Sequence, residues 1–419
     1  MTSQIHDITP KQKGRRVASV VFFSIIFCSV GRISPEFIPI EVGGLVANQV
    51  ILVLLFIVAT VLLLLGKRFE SISTPFFFLV LCLCAWASLS SVWSLAPTTA
   101  LTKSFSYFLV LTSAAYVAQH LSVAEIMSVG FWATLTIVLL SAVLAIALPD
   151  SAGSTLFHDG AWRGLFMQKN VLARAAFLLA AFAMVLLFSK DGKHRITCYL
   201  ALILAVFITI RSQSVTAFIG IIAMFVVLPV MLKFLSLSRQ WRYLFFAVII
   251  GILSIFWLDM LLLLPELAIM LDRDPSLTGR VPLLDFALYH MRLSPVLGYG
   301  LEGFFSEYYA EPFFSMYGWA PEHAHNGLID LALELGAVGL SLFLMVFGLF
   351  FIRIPASAER LSVISVAMCA CVFVIFAQNV TESNLFRPTN MIWILFLVLG
   401  LRSYVEEPII GVRVVSRHG

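Results

Sequence analysis

Apolar runs of about 20 residues, separated by short polar connections, recur along almost the whole chain. A bilayer core of ~30 Å needs about 20 apolar residues per helix, so each run can cross a membrane. The runs lack the period-two alternation of membrane β-barrel strands. They predict an all-α polytopic membrane protein, one domain over residues 1–419. It has about twelve transmembrane helices, at 17–33, 43–66, 75–93, 101–119, 126–148, 171–189, 196–212, 215–235, 243–264, 328–352, 361–380 and 389–405.

Composition and charge agree with this pattern. Hydrophobic residues make up 61% of the chain and charged residues only 12%, which is too apolar for a soluble core. The net charge of +4 follows membrane topology and is not a nucleic-acid signal. With the N-terminus inside, the inside connections hold 17 Lys and Arg residues and the outside connections hold 8, so both termini are predicted to be cytoplasmic. The six cysteines lie inside predicted spans and imply no disulfide framework.

One long polar island, 265–330, interrupts the pattern between the ninth and tenth spans. The topology places this loop on the extracytoplasmic side, and we expect the specific chemistry there. Pro282–Met291 has a helical apolar pattern, which Ser294-Pro295 ends. Asn326 is placed to cap the tenth membrane helix. His325 and Asn326 are therefore expected at a helix N-terminus, where free N–H groups and the helix dipole favour an anion.

His323-x-His325 places two imidazoles close together and has three interpretations. Histidine suits proton removal near neutral pH, because its unperturbed pKa is ~6.5. A zinc site would need a third ligand, such as Glu311 or Glu322. The third interpretation is a polar loop without chemistry.

Arg163, Arg211 and Arg280 lie in extracytoplasmic connections, where arginine is disfavoured. Each is either a snorkelling anchor or an anion ligand, since a planar guanidinium binds phosphate with two hydrogen bonds. Three such arginines on the same side as a histidine, without a nucleotide-binding loop, indicate a lipid-diphosphate substrate. Gly298-x-Gly300-x-x-Gly303 fits the dinucleotide fingerprint by letter but lacks its strand context, so these glycines are predicted to shape a turn. Asp272-x-Asp274 resembles the metal-binding motif of enzymes that use sugar nucleotides. Those donors are cytoplasmic, whereas this segment is predicted to be extracytoplasmic, which argues against a metal site here.

His325-Asn326-Gly327-Leu328, followed by Glu334-Leu335-Gly336 and Gly339, resembles the signature of the O-antigen ligase and Wzy-type polymerase superfamily. Other motifs appear in the order of that family: Trp162-Arg163-Gly164, Lys169-Asn170, Thr278-Gly279-Arg280 and Pro295-x-x-Gly298-Tyr299-Gly300. Thr381-Glu382-Ser383 with Arg387-Pro388 resembles the exopolysaccharide-polymerase branch.

The resemblance implies a metal-independent, inverting glycosyltransferase of the GT-C type, with no cofactor. Its donor would be a glycan on undecaprenyl diphosphate, and it would polymerise exopolysaccharide or O-antigen repeat units. The alternative acceptor is lipid A core, which would make the protein a ligase. The enzyme would lie in the bacterial inner membrane with its active site facing the periplasm, and a flippase and a chain-length regulator would be partners.

The same resemblance assigns residues to roles. Three residues would be catalytic: His325, Arg280 and Arg211. Beside these, we predict a set of substrate-binding residues: Arg163, Lys169, Asn170, His323, Asn326, Glu382 and Arg387. An alternative of another class is a transporter or flippase of glycan-lipids, which would require ionisable residues near mid-membrane. The predicted spans are nearly free of charge, which argues against that alternative.

Overall fold

The computed structural model describes residues 10–38, 41–42, 45–66, 74–153, 160–188, 194–235, 240–241, 280–357, 363–379 and 383–405. Two two-residue strands, β1 (Glu41–Val42) and β2 (Leu45–Val46), form an antiparallel pair. Helices make up the rest of the architecture: α1 (Pro10–Ser29), α2 (Ala47–Leu65), α3 (Pro75–Leu89), α4 (Pro97–His120), α5 (Val123–Ala147), α6 (Pro149–Ala152), α7 (Lys169–Phe188), α8 (Arg195–Arg211), α9 (Val215–Leu235), α10 (Arg280–Leu293), α11 (Glu307–Tyr317), α12 (Gly327–Ser357), α13 (Val363–Asn379) and α14 (Met391–Arg402).

The predicted membrane spans agree with these helices. Every predicted span except 243–264 overlaps a helix, although the bounds differ, as in α1, which is Pro10–Ser29 where 17–33 was predicted. The span 243–264 lies outside the described residues. Within the described ranges, six helices are long and apolar enough to cross a membrane, namely α2, α3 with the 3-10 turn that follows it, α5, α7, α9 and α12. Two shorter helices, α13 and α14, are also apolar. The protein is therefore a polytopic, all-α membrane protein.

Helix α7 lies at the centre of the bundle, where it packs against α5, α8, α9 and α13. Of its most apolar stretch, 72% is buried inside the protein, whereas the corresponding value for α2 is 28%. Small side chains such as Ala176 and Ala180, both fully buried, let neighbouring helices approach closely. Helix α2 exposes large apolar side chains such as Leu64 and Leu65, as expected of a helix face in contact with lipid.

Helix α12 breaks at Gly336, where φ is +65°, and the segment Pro295–Tyr299 packs into the break. The Tyr299 N–H donates to the Leu333 carbonyl (2.8 Å) and the Ala337 N–H donates to the Pro295 carbonyl (2.9 Å). A Cβ on Gly336 would collide with the Val296 carbonyl. Two motifs that are far apart in the sequence therefore contact each other through their backbones, which explains the need for glycine here.

The turn predicted at Gly298 and Gly300 is confirmed, with φ of +67° and +82°. The turn packs on the end of α3, because the Leu301 N–H donates to Ser90 Oγ (2.9 Å) and Ser94 Oγ donates to the Leu301 carbonyl (2.9 Å). These bonds fix Glu302, the next residue, close to the start of α4.

The described part of the polar island contains the predicted helix within α10 and a second helix, α11, that the sequence analysis did not predict. Pro312 lies inside α11 and masks its helical pattern. An aromatic cluster joins the two helices: Phe286, His290, Tyr299, Phe304, Tyr309 and Phe313. The island from 265 to 279, including Asp272 and Asp274, lies outside the described residues.

Candidate functional site

His323, His325 and Asn326 lie together at the start of α12. The predicted cap is confirmed, because Asn326 Oδ1 accepts from the N–H groups of Leu328 (3.1 Å) and Ile329 (3.2 Å). His325 has a left-handed backbone, with φ of +53°, which costs energy in a non-glycine residue. His325 therefore precedes the capped helix with a non-helical backbone.

The two imidazoles are in contact, with ring centroids 4.3 Å apart and ring planes at 74°. The His325 N–H donates to His323 Nδ1 (3.2 Å), so His323 carries its proton on Nε2 when neutral. Both residues are half-buried. His323 therefore shapes the turn that presents His325, and His325 is at the helix terminus expected to attract an anion.

Arg280 is the first residue of α10, and the backbone of this helix packs beside the start of α12. A small hydrophobic cluster joins the two helices through Ala287, Ala324, Ile329 and Leu333. Ala324 lies between the two histidines in the sequence. The helix that begins at Arg280 thus shares a hydrophobic cluster with the histidine turn and the start of α12.

Arg211 is the last residue of α8 and lies over the Trp162 ring, with Cζ 4.7 Å from the ring centroid. The Trp162 N–H also donates to the Arg211 carbonyl (2.9 Å). The Arg211 residue is exposed, and no carboxylate of the described residues forms an ion pair with it. A cation–π contact at an exposed site contributes about 0.5–1 kcal/mol and orients the guanidinium without neutralising it.

Arg163 has a different environment, because its side chain is only 11% exposed and is paired with Glu36 (2.7 Å). Its guanidinium also donates to the Ser151 carbonyl (2.5 Å) and to Ser34 Oγ (3.5 Å). These contacts join the connection after α1 to the connection after α5. These contacts explain the arginine at this position without a substrate, and its substrate contact stays a prediction.

Lys169 and Asn170 form the first turn of α7 and are partly exposed. One turn further, Arg174 donates to Asn384 Oδ1 (2.8 Å) and to the Val30 carbonyl (2.9 Å). Asn384 is fully buried and belongs to the connection that carries Arg387. The start of α7 and this last connection are therefore neighbours, while the predicted site residue Glu382 lies outside the described residues.

Arg387 is held between two carboxylates. Its Nη1 donates to Glu302 Oε1 (3.3 Å) and its Nη2 donates to Asp330 Oδ2 (3.1 Å). Glu302 Oε1 also pairs with Lys103 Nζ. Burial by itself lowers the pKa of the Arg387 guanidinium, but the carboxylates of Glu334, Asp330 and Glu302 outweigh it and raise the pKa. Arg387 is therefore permanently charged and locally compensated.

We call Lys103, Glu302, Asp330 and Arg387 the charge network. The sequence did not predict three of these residues as site residues: Lys103, Glu302 and Asp330. They lie far apart in the chain, in α4, an island turn and α12, and meet only in the folded protein. The one signal of this network in the sequence was Lys103, which lies in the second turn of α4. A lysine in a membrane helix needs a partner for its charge.

A metal centre was one interpretation of the histidine pair. Within the described ranges, no group of three or more His, Cys, Asp and Glu side chains is placed to hold a metal ion. This geometry does not test catalysis itself, and metal-independent catalysis stays a prediction.

The fold and the site together define a membrane-embedded protein with a histidine turn at the capped start of a helix. The structure brings His323, His325 and Asn326 together, and Arg211 lies beside Trp162. Residues 200–344, from α8 into α12, match the Wzy_C family, which is described as O-antigen ligase. The segment contains Arg211, Arg280, His323, His325 and Asn326, and the resemblance to the O-antigen ligase and Wzy-type superfamily is confirmed. No curated protein matches the chain. The family match supports a glycosyltransferase-like enzyme of the O-antigen ligase and polymerase type.

Proposed function

We propose that the protein is an inverting glycosyltransferase of the bacterial inner membrane, which transfers a glycan from undecaprenyl diphosphate to an acceptor sugar. The single observation that carries the proposal is the placement of His325, in a strained backbone conformation at the capped start of α12, inside the segment that matches the O-antigen ligase family. Both termini lie in the cytoplasm, and the histidine turn faces the periplasm, as the distribution of positive charges along the chain predicts.

His325 acts as the general base. A sugar hydroxyl is a poor nucleophile, and removal of its proton helps the oxygen attack the anomeric carbon of the donor. The new bond joins the acceptor oxygen to the anomeric carbon, while the bond from that carbon to the diphosphate oxygen breaks. The proton passes to His325, and the configuration at the anomeric carbon inverts. The bond from the His325 N–H to His323 Nδ1 supports this role, because it orders the turn before catalysis.

The leaving group is a lipid diphosphate whose negative charge grows as the bond breaks. Arg211 and Arg280 stabilise this charge, which a guanidinium does well because it presents two parallel N–H donors. The exposed position of Arg211 and its lack of a carboxylate among the described residues support this assignment. The helix dipole of α12 adds a weaker favourable field.

Other groups at the site contact the substrate in this proposal. Asn326 Nδ2 is buried and has no hydrogen-bond partner among the described residues, so it is a donor available to a sugar or phosphate oxygen. Lys169 and Asn170 at the start of α7 bind the same substrate, as do His323 and Glu382.

We further propose that the acceptor is another lipid-linked glycan, so that the reaction is polymerisation. The motif at Thr381-Glu382-Ser383 and Arg387-Pro388 supports this choice. Transfer to lipid A core, the activity of a ligase, is the alternative, and transport of the glycan-lipid is the alternative of another class. A flippase and a chain-length regulator act with the polymerase.

The experiment uses the purified full chain in proteoliposomes with a glycan-linked undecaprenyl diphosphate as the donor. The wild type is expected to form a ladder of longer glycans from the donor alone, and His325→Ala is expected to form none at equal membrane level. His323→Ala should retain part of the activity. His120→Ala, at the end of α4 opposite to Lys103, is a matched control with full activity.

Three results would contradict parts of the proposal. Activity near wild type in His325→Ala would remove this histidine from the mechanism. Product formation only after addition of lipid A core would assign a ligase. Movement of the donor across the bilayer without any new glycosidic bond would assign a transporter.

A further inference from the structure

The charge network joins four segments that are distant in the sequence. Lys103 belongs to α4, Glu302 to the island turn, Asp330 to the first turn of α12 and Arg387 to the connection before α14. Glu302, Asp330 and Arg387 have side chains that are 19%, 5% and 20% exposed, so the centre of the network is shielded from water. Interactions between charges are stronger in such an environment than at a wet surface.

Asp330 connects the network to the histidine turn. Its Oδ2 accepts from Arg387 (3.1 Å), and its Oδ1 accepts from the Ala324 N–H (2.7 Å). Ala324 directly precedes His325 in the chain. The carboxylate thus holds the backbone of the turn with one oxygen and the network with the other.

The other end of the network is anchored to the bundle. Glu302 has a left-handed backbone, with φ of +59°, and directly follows Leu301, which bonds to Ser90 and Ser94. The connection that carries Arg387 is held through Asn384, which is bonded to Arg174 and to Asn390. The network therefore has fixed supports on both sides, and the histidine turn is attached between them.

We propose that Lys103, Glu302, Asp330 and Arg387 are positioning residues for His325. The inference rests on the proposed function, in which His325 is the base. The network holds the turn at 323–326 so that the imidazole has one orientation relative to the acceptor hydroxyl. None of the four residues touches the reacting atoms in this arrangement.

The same geometry argues against donor binding by Arg387. Both of its terminal nitrogens are occupied by carboxylates, and those carboxylates would repel a diphosphate brought to the same place. Simple stabilisation of the fold is also a weak explanation, because buried ion pairs often contribute little net stability once desolvation is included. A precise geometry at the adjacent turn is a benefit that the network can supply.

The test compares Asp330→Asn with the wild type. The substitution replaces one of the two carboxylate oxygens with an amide nitrogen, so the new side chain cannot accept hydrogen bonds from both Ala324 and Arg387. We expect kcat for glycan transfer to fall about tenfold or more, as for a lost charge-assisted contact felt in the transition state. KM for the donor should stay within about twofold, because the donor contacts are elsewhere.

A second measurement does not depend on activity. Hydrogen–deuterium exchange of peptides covering 320–328 should be faster in Asp330→Asn and in Arg387→Ala than in the wild type, because the bond at Ala324 is weakened. Glu125→Gln is the matched control, since it neutralises a carboxylate in a capping box at the start of α5, where Gln also caps. It should change neither measurement. If Asp330→Asn does not fold, Glu302→Gln tests the same network one contact further away, because it removes a carboxylate that holds Arg387, and it should change both measurements in the same direction but less.

A raised KM with kcat retained in Arg387→Ala would overturn the proposal and return Arg387 to donor binding. Unchanged exchange at 320–328 in the network variants would overturn it as well. If the wild type transfers no glycan, the proposed function fails, yet the exchange measurement still reports whether the network holds the turn.

Discussion

Arg211 and Arg387 both lie in predicted extracytoplasmic connections, but their surroundings are opposite. Arg211 is exposed, lies over Trp162 and forms no ion pair with a carboxylate of the described residues. Arg387 lies between Glu302 and Asp330, and both of its terminal nitrogens are occupied. No carboxylate of the described residues compensates the charge of Arg211, whereas Glu302 and Asp330 compensate that of Arg387. The difference shows that an outside arginine is evidence for substrate binding only after its partners are known.

Arg163 belongs with Arg387 in this comparison. Its ion pair with Glu36 and its bond to the Ser151 carbonyl hold two connections together. Although Arg163 directly follows Trp162, whose ring and backbone contact Arg211, the two arginines differ in their partners, because Arg163 is paired with a carboxylate and Arg211 has no such pair among the described residues. The comparison thus separates the arginines that hold connections together, Arg163 and Arg387, from Arg211, which we propose to be ligand-facing.

Among the arginines compared, the largest expected effect is at Arg211. Replacement by lysine or alanine should lower the rate of transfer roughly ten- to a hundredfold, because a lost charge-assisted contact costs about 1.5–3 kcal/mol in the transition state. Lysine keeps the charge but not the two-pronged geometry. Arg280 should respond in the same way. Turnover of a lipid-diphosphate donor measures the effect.

The control for this prediction is Arg195→Lys at the opposite end of α8, which should keep full activity. Full activity in the lysine variants of both Arg211 and Arg280 would indicate snorkelling anchors, because lysine snorkels too. The difference between Arg211 and Arg387 would then lose its functional meaning.

A smaller effect of another kind is expected at Arg163. Arg163→Ala removes the contacts to Glu36 and Ser151 and should lower the free energy of unfolding by about 1–3 kcal/mol. Most of the loss should come from the bond to the Ser151 carbonyl, because the Glu36 side chain is exposed and its ion pair is screened by water. The variant should melt at a lower temperature in detergent, while KM for the donor is unchanged. A raised KM without a change in melting temperature would move Arg163 to the ligand-facing group.

The smallest expected effect is that of a chelator. If arginines act on the diphosphate in place of a metal cation, EDTA should leave the rate of transfer unchanged. The measurement is turnover before and after dialysis against EDTA. Loss of activity that zinc or magnesium restores would assign the diphosphate to a metal and reduce the importance of Arg211.

Much of the fold was predictable from the sequence, because its signals are local. A run of about 20 apolar residues can satisfy its backbone in a bilayer only as a helix, so the pattern of runs predicts the helices directly. The cap at Asn326 was also predictable, because a capping side chain bonds to the backbone only two or three residues further along. The helix at Pro282–Met291 was predicted from the spacing of its apolar residues. Helix α11 was missed because Pro312 interrupts its pattern.

The amino-acid sequence by itself determined the class of protein, the helices and the set of histidines and arginines that carry the proposed chemistry. Only the tertiary structure decided which arginines are paired. Arg387 contacts Glu302 and Asp330, 85 and 57 residues away, and Arg163 contacts Glu36, 127 residues away. Such pairs leave no periodic signal along the chain, because they depend on how separate helices pack and not on the local geometry of any one helix.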